Sequence, residues 1–151
     1  DIVLEKGLDP NEPFGNGYIP VKYAAGKEKI DMLYSLVKYG GYTNVIMEKG
    51  RTLVHLAAKH SHEQLLEFLL SNGLDVNAKD EDGYMPIHIA ARYAYGYILN
   101  ILLYNGADHT AKVHSNDAGR MLGIDELIAN NNKMGDEDAE ILFDIINSDS
   151  H

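Results

Sequence analysis

The feature that most constrains this chain is a pattern that returns every 33 residues. Five residue ladders keep this period in one phase: the glycines 17, 50 and 83, the glycines 7, 40, 73 and 106, the alanine pairs 24–25, 57–58 and 90–91, the asparagines 11, 44 and 77, and the aspartates 75 and 108. A fixed period of this size indicates a chain built from stacked structural repeats. We therefore expect several similar units rather than one irregular core.

The unit that begins at Gly50 shows what one period contains. It comprises, in order, a short segment with small alanines (52–58), a turn at Ser61-His62, an apolar stripe at helical spacing (65–70), a helix stop at Asn72-Gly73, an extended stretch (74–78) and a turn at 80–83. These signals predict two helices followed by a projecting loop. One such unit cannot bury its own apolar stripe, so the units must stack.

Three units carry related motifs. They are Gly50-Arg51-Thr52-Leu53-Val54-His55-Leu56-Ala57-Ala58 with Leu69-Leu70-Ser71-Asn72-Gly73-Leu74-Asp75-Val76-Asn77, then Gly83-Tyr84-Met85-Pro86-Ile87-His88-Ile89-Ala90-Ala91 with Leu102-Leu103-Tyr104-Asn105-Gly106-Ala107-Asp108, and the looser Gly17-Tyr18-Ile19-Pro20-Val21-Lys22-Tyr23-Ala24-Ala25 closing at Gly40. Over residues 2–112 the pattern resembles the ankyrin repeat, with its G-x-T-P-L-H-x-A-A and L-L-x-x-G-A-D-x-N signatures. The resemblance implies an all-α solenoid of helix-turn-helix units with projecting β-turn loops.

The resemblance also implies how the chain divides. We expect a single ankyrin-repeat domain over 1–151, made of a partial repeat (1–13), three repeats (14–46, 47–79 and 80–112) and an atypical acidic C-terminal capping repeat (113–151). Some positions depart from the family pattern. Leu53 replaces the usual proline, Ile19 and Met85 replace the usual threonine, and Lys22 replaces the histidine. The repeat with Lys22 should therefore lack that histidine's hydrogen bonds.

The last quarter of the chain is chemically distinct, with nine acidic side chains against two basic ones. Strict phase would place a glycine at Asn116, but the next glycine is Gly119. We still expect a helix pair over Met121–Ala129 and Asp136–Asn147. The predicted buried stripe of the second helix consists of Ala139, Leu142, Ile145 and Ile146. The acidic run at 136–138 would complement the dipole at the start of that helix.

The first residues match the end of a repeat. The stretch 2–11 is in phase with the segments that close at Gly40 and Gly73. We expect a piece of a longer array or of a multidomain protein, and the alternative is a short natural capping helix.

Composition excludes several classes of function. The formal net charge of −10 argues against binding nucleic acid by phosphate neutralisation and against docking on anionic lipid. No run of about 18 apolar residues is present, so we expect no membrane span. The absence of cysteine excludes disulfides, thiol nucleophiles and thiolate metal sites from these residues, and it is typical of a reducing compartment. We therefore expect a cytoplasmic protein.

The histidines and paired acids offer few catalytic or metal-binding patterns. The resemblance implies that His55 and His88 bond the backbone of adjacent loops. His60 and His62 have His-x-His spacing, but side chains two positions apart at a helix end diverge. The acidic pairs are explained by a turn (80 and 82) and by helix capping (136 and 138). We expect no enzyme activity, no cofactor and no metal.

With catalytic and metal sites set aside, the remaining candidate for a functional site is the surface of the repeats. The resemblance implies that loop tips and first helices line a concave face that binds a partner. The predicted partner-binding residues are Glu48, Lys49, Arg51, Lys59, His60, Glu81, Asp82, Tyr84, Arg92 and Tyr93. Tyrosine and arginine are frequent interface hot spots. Alternatively, Tyr84 and Tyr93 only pack on neighbouring repeats.

The resulting hypothesis is a monomeric module that binds another protein without catalysis. One alternative is the targeting arm of a multidomain enzyme or of a secreted effector whose catalytic domain lies outside this chain. Another is a purely structural spacer. Abundant Ile, Asn, Lys and Tyr hint at an AT-rich genome, such as that of an intracellular bacterium, a parasite or a large virus. In the first case an effector would act in the host-cell cytosol.

Overall fold

The computed structural model describes residues 20–93, 95–114 and 121–131. Within these ranges the chain is an all-α solenoid in which each repeat has a short first helix and a longer second helix. The α-helices are α1 (Pro20–Gly26), α2 (Ile30–Lys38), α3 (Leu53–Lys59), α4 (Glu63–Ser71), α5 (Pro86–Arg92), α6 (Gly96–Tyr104) and α7 (Ile124–Asn131). A single 3-10 turn spans Glu48–Gly50, and two short strands are β1 (Val113–His114) and β2 (Met121–Leu122).

The first helices α3 and α5 begin in two different ways. The Thr52 hydroxyl accepts the His55 N–H (3.4 Å), and His55 Nδ1 accepts the Thr52 N–H (3.0 Å), so α3 starts with a reciprocal cap. At α5 the cap residue is Met85, which has no hydroxyl, and Pro86 follows it in the first turn. Proline favours this position because its φ angle is already helical. The helix α3 thus keeps the hydroxyl cap but lacks the proline of the family motif. The helix α5 keeps the proline but lacks the hydroxyl.

The second helices end at glycines in the left-handed conformation. Gly40, Gly73 and Gly106 have φ angles of 103°, 87° and 89°. After α4, the Gly73 N–H bonds the Leu70 carbonyl (3.1 Å) and the Leu74 N–H bonds the Leu69 carbonyl (3.2 Å). This is the pattern that satisfies the last carbonyls of a helix. The glycine ladder of the sequence thus reflects a repeated helix end.

The core lies between two layers of helices. The first helices α3, α5 and α7 pack in succession, and so do the second helices α2, α4 and α6. The alanine pairs 57–58 and 90–91 are fully buried, and their small side chains allow the close approach of neighbouring first helices. The largest buried apolar side chains are Leu33, Leu53, Leu65, Leu66, Leu69, Ile87, Ile98, Leu99, Leu102 and Ile124. Within the described ranges, no helix has the length and apolar character to cross a membrane.

The first junction is looser than the next one, because α1 and α3 approach each other less closely than α3 and α5. Lys22 is exposed on α1, whereas His55 and His88 are buried at the matching positions of α3 and α5. The His55 ring donates to the carbonyl of Tyr84 (2.8 Å). The matching carbonyl for Lys22 is that of Arg51, 29 residues later, which accepts the N–H of Met47 in its own loop. Lysine at position 22 thus leaves this junction without a bond that the next junction has.

The residues after the third repeat differ from the expectation of a helix over 121–129. Met121 and Leu122 form β2, which pairs antiparallel with His114 and Val113 of β1, so α7 begins only at Ile124. The prediction was wrong for the first turn of this helix because Met121 and Leu122 pair with the backbone of β1 and are extended instead of helical. The predicted helix over 136–147 and the partial repeat over 1–13 lie outside the described residues.

A series of Gly→Ala variants tests the loop geometry. Gly50 has a φ of +69°, and an added Cβ would lie 3.2 Å from Glu81 Cγ and 3.3 Å from its backbone N. Gly73 shares the left-handed φ but has open space, and Gly26 has neither restriction. We expect Gly73→Ala to lower the free energy of unfolding by about 1–2 kcal/mol and Gly50→Ala to lower it further. Gly26→Ala should not destabilise the protein.

Urea unfolding of the three variants measures these differences. Equal losses in the free energy of unfolding for Gly50→Ala and Gly73→Ala would mean that the 3-10 turn does not lie against the next loop.

Candidate partner-binding surface

The ten predicted partner-binding residues fall into two groups on the inner face, which we define as the helices α1, α3 and α5 with the loop tips 47–51 and 80–84. Six lie in the loop tips: Glu48, Lys49, Arg51, Glu81, Asp82 and Tyr84. Four lie at the C-terminal ends of first helices: Lys59 and Arg92 are the last residues of α3 and α5, and His60 and Tyr93 directly follow them. A seven-residue helix is about 10 Å long, so the two groups flank the face rather than form one patch.

Backbone hydrogen bonds hold the two loop tips against each other. The Glu81 N–H donates to the Lys49 carbonyl (2.8 Å) across the repeat boundary. The Asp80 N–H donates to the Tyr84 carbonyl (2.9 Å), and that same carbonyl accepts the Nε2–H of His55 (2.8 Å). The loop tip at 80–84 is therefore tied both to the preceding loop and to the preceding first helix.

Asp80 and Arg51 form an ion pair at the base of these loops. Asp80 is only 6 % exposed, and its Oδ1 accepts the N–H groups of Asp82 and Tyr84, each at 2.9 Å. Its Oδ2 lies 3.5 Å from Arg51 Nε, and each of these two buried atoms lacks a hydrogen bond within the described chain. Asp80 therefore shapes the turn, as its position in a turn predicted. Arg51 is partly committed to it, with its side chain 33 % exposed.

His55 and His88 use both ring nitrogens in structural bonds. In each case Nδ1 accepts a backbone N–H at the start of its own helix, from Thr52 or Met85. Nε2 then carries the proton and donates to a carbonyl of the following loop, that of Tyr84 (2.8 Å) for His55 and that of Ala111 (3.1 Å) for His88. Burial lowers the pKa of both imidazoles because it disfavours the charged form.

Lys59 and His60 face the preceding repeat. Lys59 Nζ lies 2.7 Å from Glu28 Oε1, and His60 Nε2 lies 3.7 Å from the same oxygen. The hydrogen bond from Lys59 is the main reason why the pKa of Glu28 lies below its usual value. Glu28 was not among the predicted site residues. The only sequence signal for this pair was its separation of 31 residues, which is close to one repeat and therefore allows a contact between neighbouring repeats.

The two histidines of the His-x-His spacing diverge in the structure. His60 is directed towards Glu28, whereas His62 Nε2 lies 3.4 Å from Asp31 Oδ1. His62 Nδ1 accepts the Leu65 N–H (3.1 Å) and so starts α4. Among the residues whose placement is described, no three His, Asp or Glu side chains are grouped to hold a metal ion.

The two predicted tyrosines differ in exposure. Tyr84 is half-buried against the core, with its ring 6.1 Å from the His88 ring and 5.6 Å from the Arg92 guanidinium. Tyr93 is 39 % exposed and stacks on Tyr95 at 5.5 Å. Tyr84 thus packs within the repeats and joins the two ends of the inner face through Arg92. Tyr93 presents its ring to the surface.

A groove opens at the looser first junction, between α1 and the loop that precedes α3. Its volume is about 590 Å³, and we call it the α1 groove. Three predicted residues border it, Glu48, Lys49 and Arg51, whereas Lys22 and Ile46 border it without having been predicted. The replacement of the motif histidine by Lys22 was the sequence signal for an opening at this point. A second groove, of about 380 Å³, lies on the outer face between α4 and α6.

Comparison with known proteins agrees with this architecture. The family model described as ankyrin repeats (3 copies) matches two overlapping segments, residues 2–80 and 21–113. The chain is also 32 % identical over 84 residues to an ankyrin repeat protein of fowlpox virus, strain NVSL. That match covers 50 % of this chain and 27 % of the viral protein, so the chain spans only about a quarter of the relative's length.

The buried imidazoles predict a specific pH dependence. Because the pKa of His88 is lowered below 6.5 on folding, the unfolded chain binds a proton first as the pH falls. The stability from neutral His88 is complete above pH 6.5 and is lost as the pH falls towards the folded pKa. His88→Gln should cost about 1–3 kcal/mol at pH 7.5, and its deficit relative to the original chain should shrink towards pH 5.

Chemical unfolding at several pH values measures this difference. The exposed Asn100 carries no titratable group, so Asn100→Ala serves as the control and should show no comparable change. A deficit for His88→Gln that stays constant from pH 7.5 to 5 would contradict the assignment of a neutral buried ring.

Proposed function

Because the chain belongs to the ankyrin repeat family, whose domains generally bind other proteins and are typically non-catalytic, we propose that it is a protein-binding module without chemistry of its own. Its partner would lie against the inner face. The module would act as a monomer in a reducing compartment such as the cytosol, a placement supported by the lack of cysteine.

One observation carries the proposal: at the loop tips the backbone is held while the side chains are left available. Inter-repeat hydrogen bonds fix the backbone at Lys49, Glu81 and Tyr84. The side chains of Glu48, Lys49, Glu81 and Asp82 are exposed, and within the described part of the chain they form no hydrogen bond or ion pair. A surface held in advance loses less entropy on binding. This division of roles suits partner recognition.

The histidines support the non-catalytic part of the proposal. A general base needs a free ring nitrogen within reach of a substrate proton. In His55 and His88 both ring nitrogens bond backbone groups, and both rings are buried. These two histidines therefore support the stacking of repeats rather than proton transfer.

The experiment compares the inner and outer faces. A double variant, Arg92→Ala with Tyr93→Ala, removes two exposed side chains of the inner face and spares half-buried Tyr84. For a partner captured from cell extract, we expect affinity to fall by about 2 kcal/mol or more if these residues are hot spots. The matched outer-face variant, Glu67→Ala with Asn100→Ala, should bind as the original chain does. Calorimetry measures the affinity, and thermal melts verify that each variant is folded.

Different results would overturn different parts of the proposal. A loss of affinity in the outer-face variant alone would place the partner in the groove between α4 and α6. No protein bound by the original chain would favour the structural spacer. Turnover by the chain in a broad substrate screen would refute the non-catalytic part.

A further inference from the structure

We propose that the α1 groove receives an acidic segment of the partner, an extended stretch that places an aliphatic or aromatic side chain in the groove beside a carboxylate. The proposal rests on the proposed function and specifies the chemistry of the partner. Three features of the groove support the proposal. They are an apolar floor, a local excess of basic groups, and Arg51, which is paired with Asp80.

The floor of the groove is apolar and the rim is charged. Ala25, Met47 and Leu56 contribute to its lining, and Ile46 stands beside them with 58 % of its surface exposed. A volume of about 590 Å³ lies within the range of pockets that hold small ligands. Since the groove is bordered by exposed residues of α1 and of the loop before α3, a chain can lie along it. An apolar side chain of a peptide would cover Ile46 and the floor.

The charges around the groove favour an acidic occupant. Lys22, Lys49 and Arg51 line it together with Glu28 and Glu48. Glu28 is already neutralised by the 2.7 Å contact with Lys59, outside the groove lining. Arg51 is likewise paired with Asp80, so the remaining charges of the lining are Lys22 and Lys49 against Glu48, and the groove is locally positive in a chain whose net charge is −10. Such local complementarity steers a partner of opposite charge and rejects one of like charge.

Arg51 is already oriented for a carboxylate. Its Nε is buried beside Asp80 Oδ2, and the side chain as a whole remains 33 % exposed. The rest of the side chain therefore keeps exposed surface, and Arg51 lines the groove. A guanidinium with a fixed orientation can bind a carboxylate through two parallel hydrogen bonds. Because Asp80 is fixed by the turn of the next repeat, the stacking of repeats sets the position of this donor.

The test uses defined peptides and the whole chain. The probe is the fluorescein-labelled peptide DEDLFDED, and its two controls are KKKLFKKK, which reverses the charge, and DEDGSDED, which lacks the apolar pair. Fluorescence anisotropy at low salt should show the first peptide binding at least about tenfold more tightly than either control. Amide chemical shifts of Ala25, Met47 and Leu56 should move on titration.

Variants locate the binding. Among the described residues, the side chains of Lys22 and Lys49 form no hydrogen bond or ion pair, so Lys22→Glu with Lys49→Glu should fold normally. This double variant should bind the first peptide about tenfold or more weakly. Ile46→Ser should weaken it several-fold by removing the exposed apolar contact. Lys38→Glu at the end of α2, outside the groove lining, reverses one positive charge, half the charge change of the double variant, and should have no effect.

Each other outcome overturns the inference. Equal or tighter binding of the lysine peptide refutes the charge argument, and binding of DEDGSDED equal to that of the probe refutes the apolar floor. No binding of any peptide at millimolar concentration refutes the groove as a peptide site, as does an unchanged affinity in the Lys22→Glu, Lys49→Glu variant. A dimer that dissociates on these two changes would assign the groove to a second copy of the chain.

The captured partner distinguishes this inference from the proposed function. If the Lys22→Glu, Lys49→Glu variant binds that partner with unchanged affinity while Arg92→Ala with Tyr93→Ala weakens it, the groove assignment fails and the proposed function stands. If neither inner-face variant affects the captured partner, the proposed inner-face site fails as well.

Discussion

The structure depends on a neutral imidazole that links one repeat to the next. In His55, Nδ1 accepts a backbone N–H at the start of α3 and Nε2 donates to the Tyr84 carbonyl of the following loop. The same ring therefore starts a helix and sets the position of the next repeat. His88 also starts its helix through Nδ1, and its Nε2 donates to the Ala111 carbonyl in the closing stretch of its own repeat. Both bonds require the uncharged ring, and burial favours that form.

The absence of this link at Lys22 has a consequence for the surface. At the junction between α3 and α5 the loops are tied, and the predicted side chains stand on a fixed backbone. At the junction between α1 and α3 the helices are farther apart, and the α1 groove opens with lysine on its rim. One substitution in the repeat motif thus exchanges a structural bond for an exposed charge. In our account, this exchange separates the stacking function of the inner face from its binding function.

The sequence predicted the family and the all-α fold because repeated backbone requirements leave repeated residues. Gly73 marks a left-handed helix end, and His55 marks a link between repeats, so both recur at the period. Side-chain pairing follows no such rule. The ion pairs of Arg51 with Asp80 and of Lys59 with Glu28 depend on how neighbouring loops approach each other, which a linear motif does not specify. The start of α7 was missed for a related reason, since β2 forms only through its pairing with β1.

Amide hydrogen exchange at the loop tip tests the central claim most directly, namely that the proposed partner-binding surface has a fixed backbone before any partner binds. The amides of Asp80 and Glu81 donate to the carbonyls of Tyr84 and Lys49. If the loops are held as described, both amides should exchange within about tenfold of the rate of amides inside α3 and α5, because the Glu81 bond crosses the repeat boundary and the Tyr84 carbonyl that accepts from Asp80 is also bonded to His55. Exchange at the rate of an unstructured peptide would show that the loops move freely and would contradict the account.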